Sequence, residues 1–371
     1  MSSSTHNSDE NLPSAGDHET DSSGMASSSQ TAQAEAPPSA DEPQAAAPDP
    51  TLDFTFDTGN IRLLIKRNGQ VVEGKASSDA LYLASPVWKK FLFPPWQTDE
   101  ELRHSVKQID CTGNDSEALL ILLNIAHLKF HKVPEHLGYE TLLNIATLCD
   151  QYDCIHLLRP WLVHNLWLQG EEDASNLSFK KGQYGWLFIA WVFGREKIFE
   201  DLAVQMVTTI RINANQAWRT FTPLPPNIIE SILSCRIKVI ASLLQIPYQV
   251  LDRYEVIYRG NSLSRRRKNT ICAEKKSTNC CDAIVYGSVV LGLQSVGLFP
   301  RKLPQDLSRS IVQLSHELRM VDIHHLERGS HYDCGTDDFM ESVDDALTRI
   351  WNPVLDSHRV HMRGQNERLH R

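Results

Sequence analysis

IRLLIKRNGQVVEGKASSDALYLASPVWKKFLF, residues 61–93, is the stretch on which the reading of the whole chain turns. Ile61, Leu63 and Ile65 alternate with Arg62, Leu64 and Lys66, the period-2 pattern of a strand with one better-buried face. Asn68-Gly69 supplies the left-handed positions of a tight hairpin turn, and Val71-Val72 opens the returning strand. Ser77 or Ser78 suits a helix N-cap, where a side-chain oxygen accepts from an unpaired backbone amide, and Asp79 suits the positive end of the same helix. Pro86 marks a second helix start, where its missing N–H costs nothing. Val87, Trp88, Phe91 and Leu92 then share an apolar face. This spacing predicts that Trp88 and Phe91 both pack inward, against a helix over residues 139–153.

Downstream, Ser105–Asp110 reads as a third short strand. A helix begins at Asp115 with Leu119, Leu122, Leu123 and Ala126 on one face. Residues 130–138, with Pro134 and Gly138, break it. The next helix, Tyr139 to Asp153, turns Leu142, Ile145, Cys149 and Tyr152 inward, and a helical run continues to Leu168. Residues 169–178 are polar and read as a linker. Beyond them the pattern is helical throughout residues 179–351, interrupted by Pro223-Leu-Pro-Pro226 and, as a kink or a break, by Pro247. Residues 352–371 lose the apolar period and are expected to form a loose tail.

A hairpin followed by SPVWKKFLF, and later by IATLCDQYDC, resembles the BTB/POZ fold, in particular that of the filamentous-fungal group. The resemblance covers about a third of the chain, roughly residues 53–167. It implies an α+β architecture: a BTB/POZ module of a small sheet flanked by helices over residues 51–168, followed by an all-α C-terminal domain. The function it implies is protein binding as a scaffold or adaptor, with self-association through the first strand and first helix as a common mode. Some members of the family also bind a cullin and present substrates to a ubiquitin ligase. Those members carry an apolar-x-acid motif ahead of the helix that begins here near Tyr139. Val133-Pro134-Glu135 has the letters but sits early, and Tyr139-Glu140 does not fit.

Composition narrows the classes further. With 46 acidic and 37 basic residues the chain carries a formal charge of −9. All of it can be assigned to residues 1–50, which hold nine Asp or Glu and no Lys or Arg. That Ser-, Ala- and Pro-rich segment cannot offset its ordering entropy by burial, so it is expected to be a disordered acidic leader. No apolar run approaches the ~18 residues of a membrane span. No secretory leader opens the chain, and its eight cysteines are scattered rather than dense. They read as thiols in a reducing, intracellular compartment, cytoplasmic or nuclear.

No phosphate-cradling glycine motif, nucleophile elbow or His-Glu-x-x-His pair is present, so no enzyme activity and no cofactor are expected. The best metal candidate combines Cys280 and Cys281 with His331 and Cys334. Adjacent helical cysteines point about 100° apart, however, so plain core or loop residues are the simpler reading. Arg265, Arg266, Arg267 and Lys268, followed by Lys275 and Lys276, form a basic loop within residues 259–279. It reads as a solvated loop or a nuclear signal. Nucleic acid is not an expected partner, since no aromatic residue is interleaved with the cluster. A nuclear regulatory protein and a metal-stapled helical scaffold are the alternatives to the adaptor.

Two interface candidates remain. Trp96 lies in a proline-constrained acidic loop, where it either anchors a partner or packs back on the domain. Leu52, Phe54 and Phe56 alternate with polar residues ahead of the first strand and must cover either the chain's own core or that of a second copy in a homodimer.

Overall fold

The hairpin forms as its sequence dictates. In a computed structural model describing residues 52–94, 107–164, 166–168, 183–212, 223–260, 271–272, 280–326, 331 and 339–370, β1 (Ile61–Arg67) pairs antiparallel with β2 (Gln70–Ala76). Asn68 and Gly69 between them both have positive φ, 51° and 81°, the backbone twist that matches the flanking strands. β3 (Gln108–Cys111) joins the other side of β1 in parallel, giving a three-stranded sheet in the order β2-β1-β3. Ile61, Leu63 and Ile65 are buried, while Arg62 and Lys66 face water.

Two short helices follow β2. α1 (Ser78–Ala84) is capped by Ser77, whose hydroxyl accepts from the Ala80 amide. α2 (Pro86–Leu92) is capped by Ser85, which accepts from the amides of Val87 and Trp88 at 3.1 and 3.0 Å. The same hydroxyl donates to the Tyr152 carbonyl at 2.5 Å, tying the cap to α4 (Tyr139–Tyr152). Trp88 packs beneath it, with its ring 4.8 Å from that of Tyr152. Phe91 does not share this burial: it is 58% exposed, against 1% for Trp88. Trp88 and Leu92, four residues apart, take the inner stripe of a seven-residue helix. Phe91 lies about 100° around the helix from Leu92, outside that stripe.

The remaining elements are helical: α3 (Ser116–Ala126), α5 (Arg159–Val163), α6 (Trp186–Val192), α7 (Glu196–Thr209), α8 (Ile228–Gly260), α9 (Cys280–Ser295), α10 (Ile311–Arg319), α11 (Phe339–Thr348) and α12 (Asp356–His370). All seven residues of α6 are buried, as an apolar run without a polar face requires. Pro247 does not break α8, which runs through it for 33 residues. The whole is therefore mixed: a small sheet with helices at its flank, then a helical C-terminal region. Residues 48–371 form one compact unit, and its main apolar core runs from Phe54 to Leu369. The expected leader and linker lie outside the described residues.

The expectation of a loose tail is overturned. α12 places Met362 and Leu369 in the core and buries His358 and Gln365 beside them. Its anchors are largely polar. The His358 ring bonds the Pro226 carbonyl at 2.7 Å, Arg359 pairs with Glu196 at 2.7 Å, and His361 stacks on Trp191 at 3.8 Å. Gly194, at φ 67°, ends the α6 turn directly beneath α12, and a Cβ there would lie 2.7 Å from the Met362 carbonyl oxygen. Hydrophobic periodicity does not register contacts of this kind.

Candidate interaction surface

α1 divides its side chains between two environments. Leu81 and Ala84 join the core, whereas Leu83 is 77% exposed and stands on the rim of an open groove of about 530 Å³. The turn that ends α3 also lines the groove, and Phe56 forms part of the lining. Phe56 is stacked on the His127 ring at 3.8 Å and 14°. Lys129 lies over the other aromatic system, 5.3 Å from the Phe56 centroid, and pairs with the exposed Asp57 at 3.5 Å.

His127 is locked by both ring nitrogens. The Ser77 amide donates to Nε2 at 3.0 Å, so Nε2 carries no proton, and Nδ1 donates to the Leu123 carbonyl at 2.8 Å. Burial holds its pKa below the ordinary histidine value, with Lys129 acting in the same direction and the Leu123 bond opposing them. His156, on the same groove, is also held low, again first by burial.

Leu128 is the residue that stands out in this lining. Its φ is 58°, the left-handed conformation with which helices commonly end, usually at glycine. The Lys129 amide donates back to the Asn124 carbonyl at 2.8 Å, closing the helix end. A leucine in this conformation costs about 1–2 kcal/mol relative to the right-handed region. Its side chain is 74% exposed, so burial does not offset that cost.

Of the residues singled out by sequence, Phe56 lines this groove. Phe54 and Phe56 are buried, at 1% and 3% exposure. Leu52 opens the short 3-10 turn Leu52–Phe54, Thr55 bridges Lys75, and the Phe56 amide donates to the Lys75 carbonyl at 2.9 Å. Gly74 makes this approach possible, since a Cβ there would lie 2.7 Å from the Phe54 carbonyl. Val133 packs half-buried against the core, and Glu135 is exposed in the loop before α4. Trp96, the basic residues Arg265–Lys268, Lys275 and Lys276, and Cys334 lie outside the described residues.

Of the metal candidates, Cys280 is exposed, while Cys281 and His331 are buried and adjacent to a residue the spacing did not single out, Cys272. Leu83 and Leu128 were likewise not singled out. The signal for Leu83 was its position out of phase with Leu81 and Ala84. For Leu128 no periodic signal exists. Comparison with protein-family models, with curated proteins and with solved structures finds no match to this chain.

Proposed function

We propose that this chain is a protein-interaction scaffold or adaptor of the BTB/POZ type, which holds a protein partner in the groove between α1 and the end of α3. The observation that carries this reading is Leu128, an exposed leucine in a backbone conformation that glycine would adopt at no steric cost. Closing the end of α3 accounts for the left-handed backbone but not for a leucine there, whereas an apolar contact with a partner, shared with Leu83 on the same groove, does. The order of hairpin, two short helices, a third strand parallel to the first and a helical series supports the BTB/POZ reading. Binding through the groove is favoured over exchange of the segment before β1, because Phe54 and Phe56 serve the chain's own core.

Affinity capture from a fungal lysate, with wild type, Leu83→Asp and Leu128→Gly compared quantitatively, tests the proposal. Partners retained by wild type should be lost from both variants, and identical capture by all three would overturn it. Presentation to a cullin-based ubiquitin ligase is the finer form of the reading. It draws on the exposed Glu135 ahead of α4, and is scored by a captured cullin that Glu135→Lys releases.

A further inference from the structure

Cys272, Cys281 and His331 each offer a donor atom within 4.8 Å of the other two, and all three residues are buried. Cys272 Sγ lies 3.2 Å from His331 Nδ1. In a tetrahedral zinc site, Zn–S of about 2.3 Å and Zn–N of about 2.0 Å put a sulfur and a nitrogen donor about 3.5 Å apart. That pair therefore needs only a few tenths of an ångström of opening, and the other donor pairs lie within 4.8 Å.

The backbone at Cys272 is held by a buried carboxylate. Asp282, in the first turn of α9, accepts from the amides of Ile271 and Cys272 at 3.1 and 3.0 Å. It thereby holds Cys272 against Cys281, although the two approach from different chain segments. This is the support expected behind a ligand set, where outer-shell bonds orient the donors.

The packing around the trio gives a second, independent reason. Cys272 and Cys281 form an apolar cluster of their own, separate from the main core and backed only by the half-buried Leu326 among the described residues. That cluster buries little apolar surface, so a metal ion there would add a cross-link that local packing does not supply. Two thiolates and an imidazole form a soft set that suits zinc and does not suit magnesium or calcium.

We propose that Cys272, Cys281 and His331 bind one zinc ion, a staple that joins the segment at Cys272, the start of α9 and the segment at His331. Binding releases the two thiol protons to solvent, and the resulting thiolates balance the charge of the ion. Three protein donors leave one tetrahedral position for water or a fourth ligand.

Full-length protein purified without chelator and analysed for metal should carry about one equivalent of zinc per chain. Cys272→Ser and Cys281→Ser should each reduce this to background, whereas Cys280→Ser, a change at the exposed neighbour, should leave it intact. A folding defect in the first two variants is separated from ligand loss by reconstituting chelator-stripped wild type with Co²⁺. A thiolate-to-cobalt charge-transfer band with tetrahedral d–d absorption supports the site. Zinc-free wild-type protein that gives no such band overturns it, as does mass spectrometry showing Cys272 and Cys281 joined in a disulfide. Retention of zinc by Cys272→Ser and Cys281→Ser together also overturns it.

Discussion

The opening module and the closing helix of this chain are held by different kinds of contact. From β1 to α4 the fold rests on apolar periodicity and turn chemistry: the buried stripe of Ile61, Leu63 and Ile65, the left-handed Asn68-Gly69 pair, and serine caps at two helix starts. α12 rests on two apolar anchors, Met362 and Leu369, and otherwise on two histidines and an arginine that find partners on α6, α7 and the turn before α8. A helix can therefore dock firmly with little apolar period, provided its neighbours supply aromatic faces and carbonyls. The comparison also separates what stability requires from what it does not, and substitutions in each region can test that boundary.

The largest effect should come from the opening module. Trp88→Ala removes a ring that is 1% exposed and packed on Tyr152. Truncating such a side chain costs about 3–5 kcal/mol, a large share of a domain's stability. The variant is expected to be insoluble, or to melt far below wild type. A soluble variant with an unchanged melting temperature would remove Trp88 from the core. Phe91→Ala, three residues on, should change the melting temperature little.

Gly194→Ala carries the test to α12. The substitution combines a left-handed position with a Cβ 2.7 Å from the Met362 oxygen and 2.9 Å from the Asn366 amide nitrogen. Both contacts are backbone atoms, so relief requires α12 to shift. A loss of roughly 2–4 kcal/mol follows from the conformational cost plus overpacking. Limited proteolysis should then cut first near α12. A variant as stable and as resistant as wild type would mean that α12 docks loosely.

Acid should weaken both regions to a smaller degree. Burial holds the imidazoles of His127, His156 and His361 below the ordinary histidine value, and Arg368 lowers His361 further, with Asp153 opposing. The unfolded chain, titrating near pH 6.5, then binds protons more readily than the folded one. The stability involved is intact above about pH 6.5 and is lost as pH falls through the lower folded values. Melting temperature should accordingly drop between about pH 7 and about pH 5. His361→Phe, which retains a ring against Trp191 without a titrating nitrogen, should flatten part of that slope. An identical slope in the variant would remove α12 from the acid response.

How far the sequence could be read follows from the same distinction. Local signals carried the hairpin, the caps and the inward stripe of α4, because each is written within a few turns of chain. Phe91 was misplaced because a short helix has room for one inner stripe, and periodicity does not say where a small core ends. α12 was missed because its ligands, such as the Pro226 carbonyl for His358, lie far away in sequence. The same holds for Cys272, whose neighbour His331 is 59 residues distant. Cys280 looked equivalent to Cys281, and only the orientation of the first turn of α9 separates the exposed thiol from the buried one.

The smallest stability effect is expected at Leu128, and it is the most informative about function. Glycine removes the Cβ that makes a left-handed backbone costly, a relief of about 1–2 kcal/mol. It also loosens the unfolded chain, which takes back part of that gain. Since the leucine is 74% exposed, little burial is lost. Leu128→Gly should thus melt at or slightly above the wild-type temperature while losing the partner held in the groove. Leu83→Asp, on the same groove, should lose the same partner with a similarly small thermal change. If Leu128→Gly instead destabilised the protein on the scale of Trp88→Ala, the leucine would belong to the fold and the groove would lose its strongest support. Unchanged stability with unchanged capture would leave the backbone cost at Leu128 without a binding explanation.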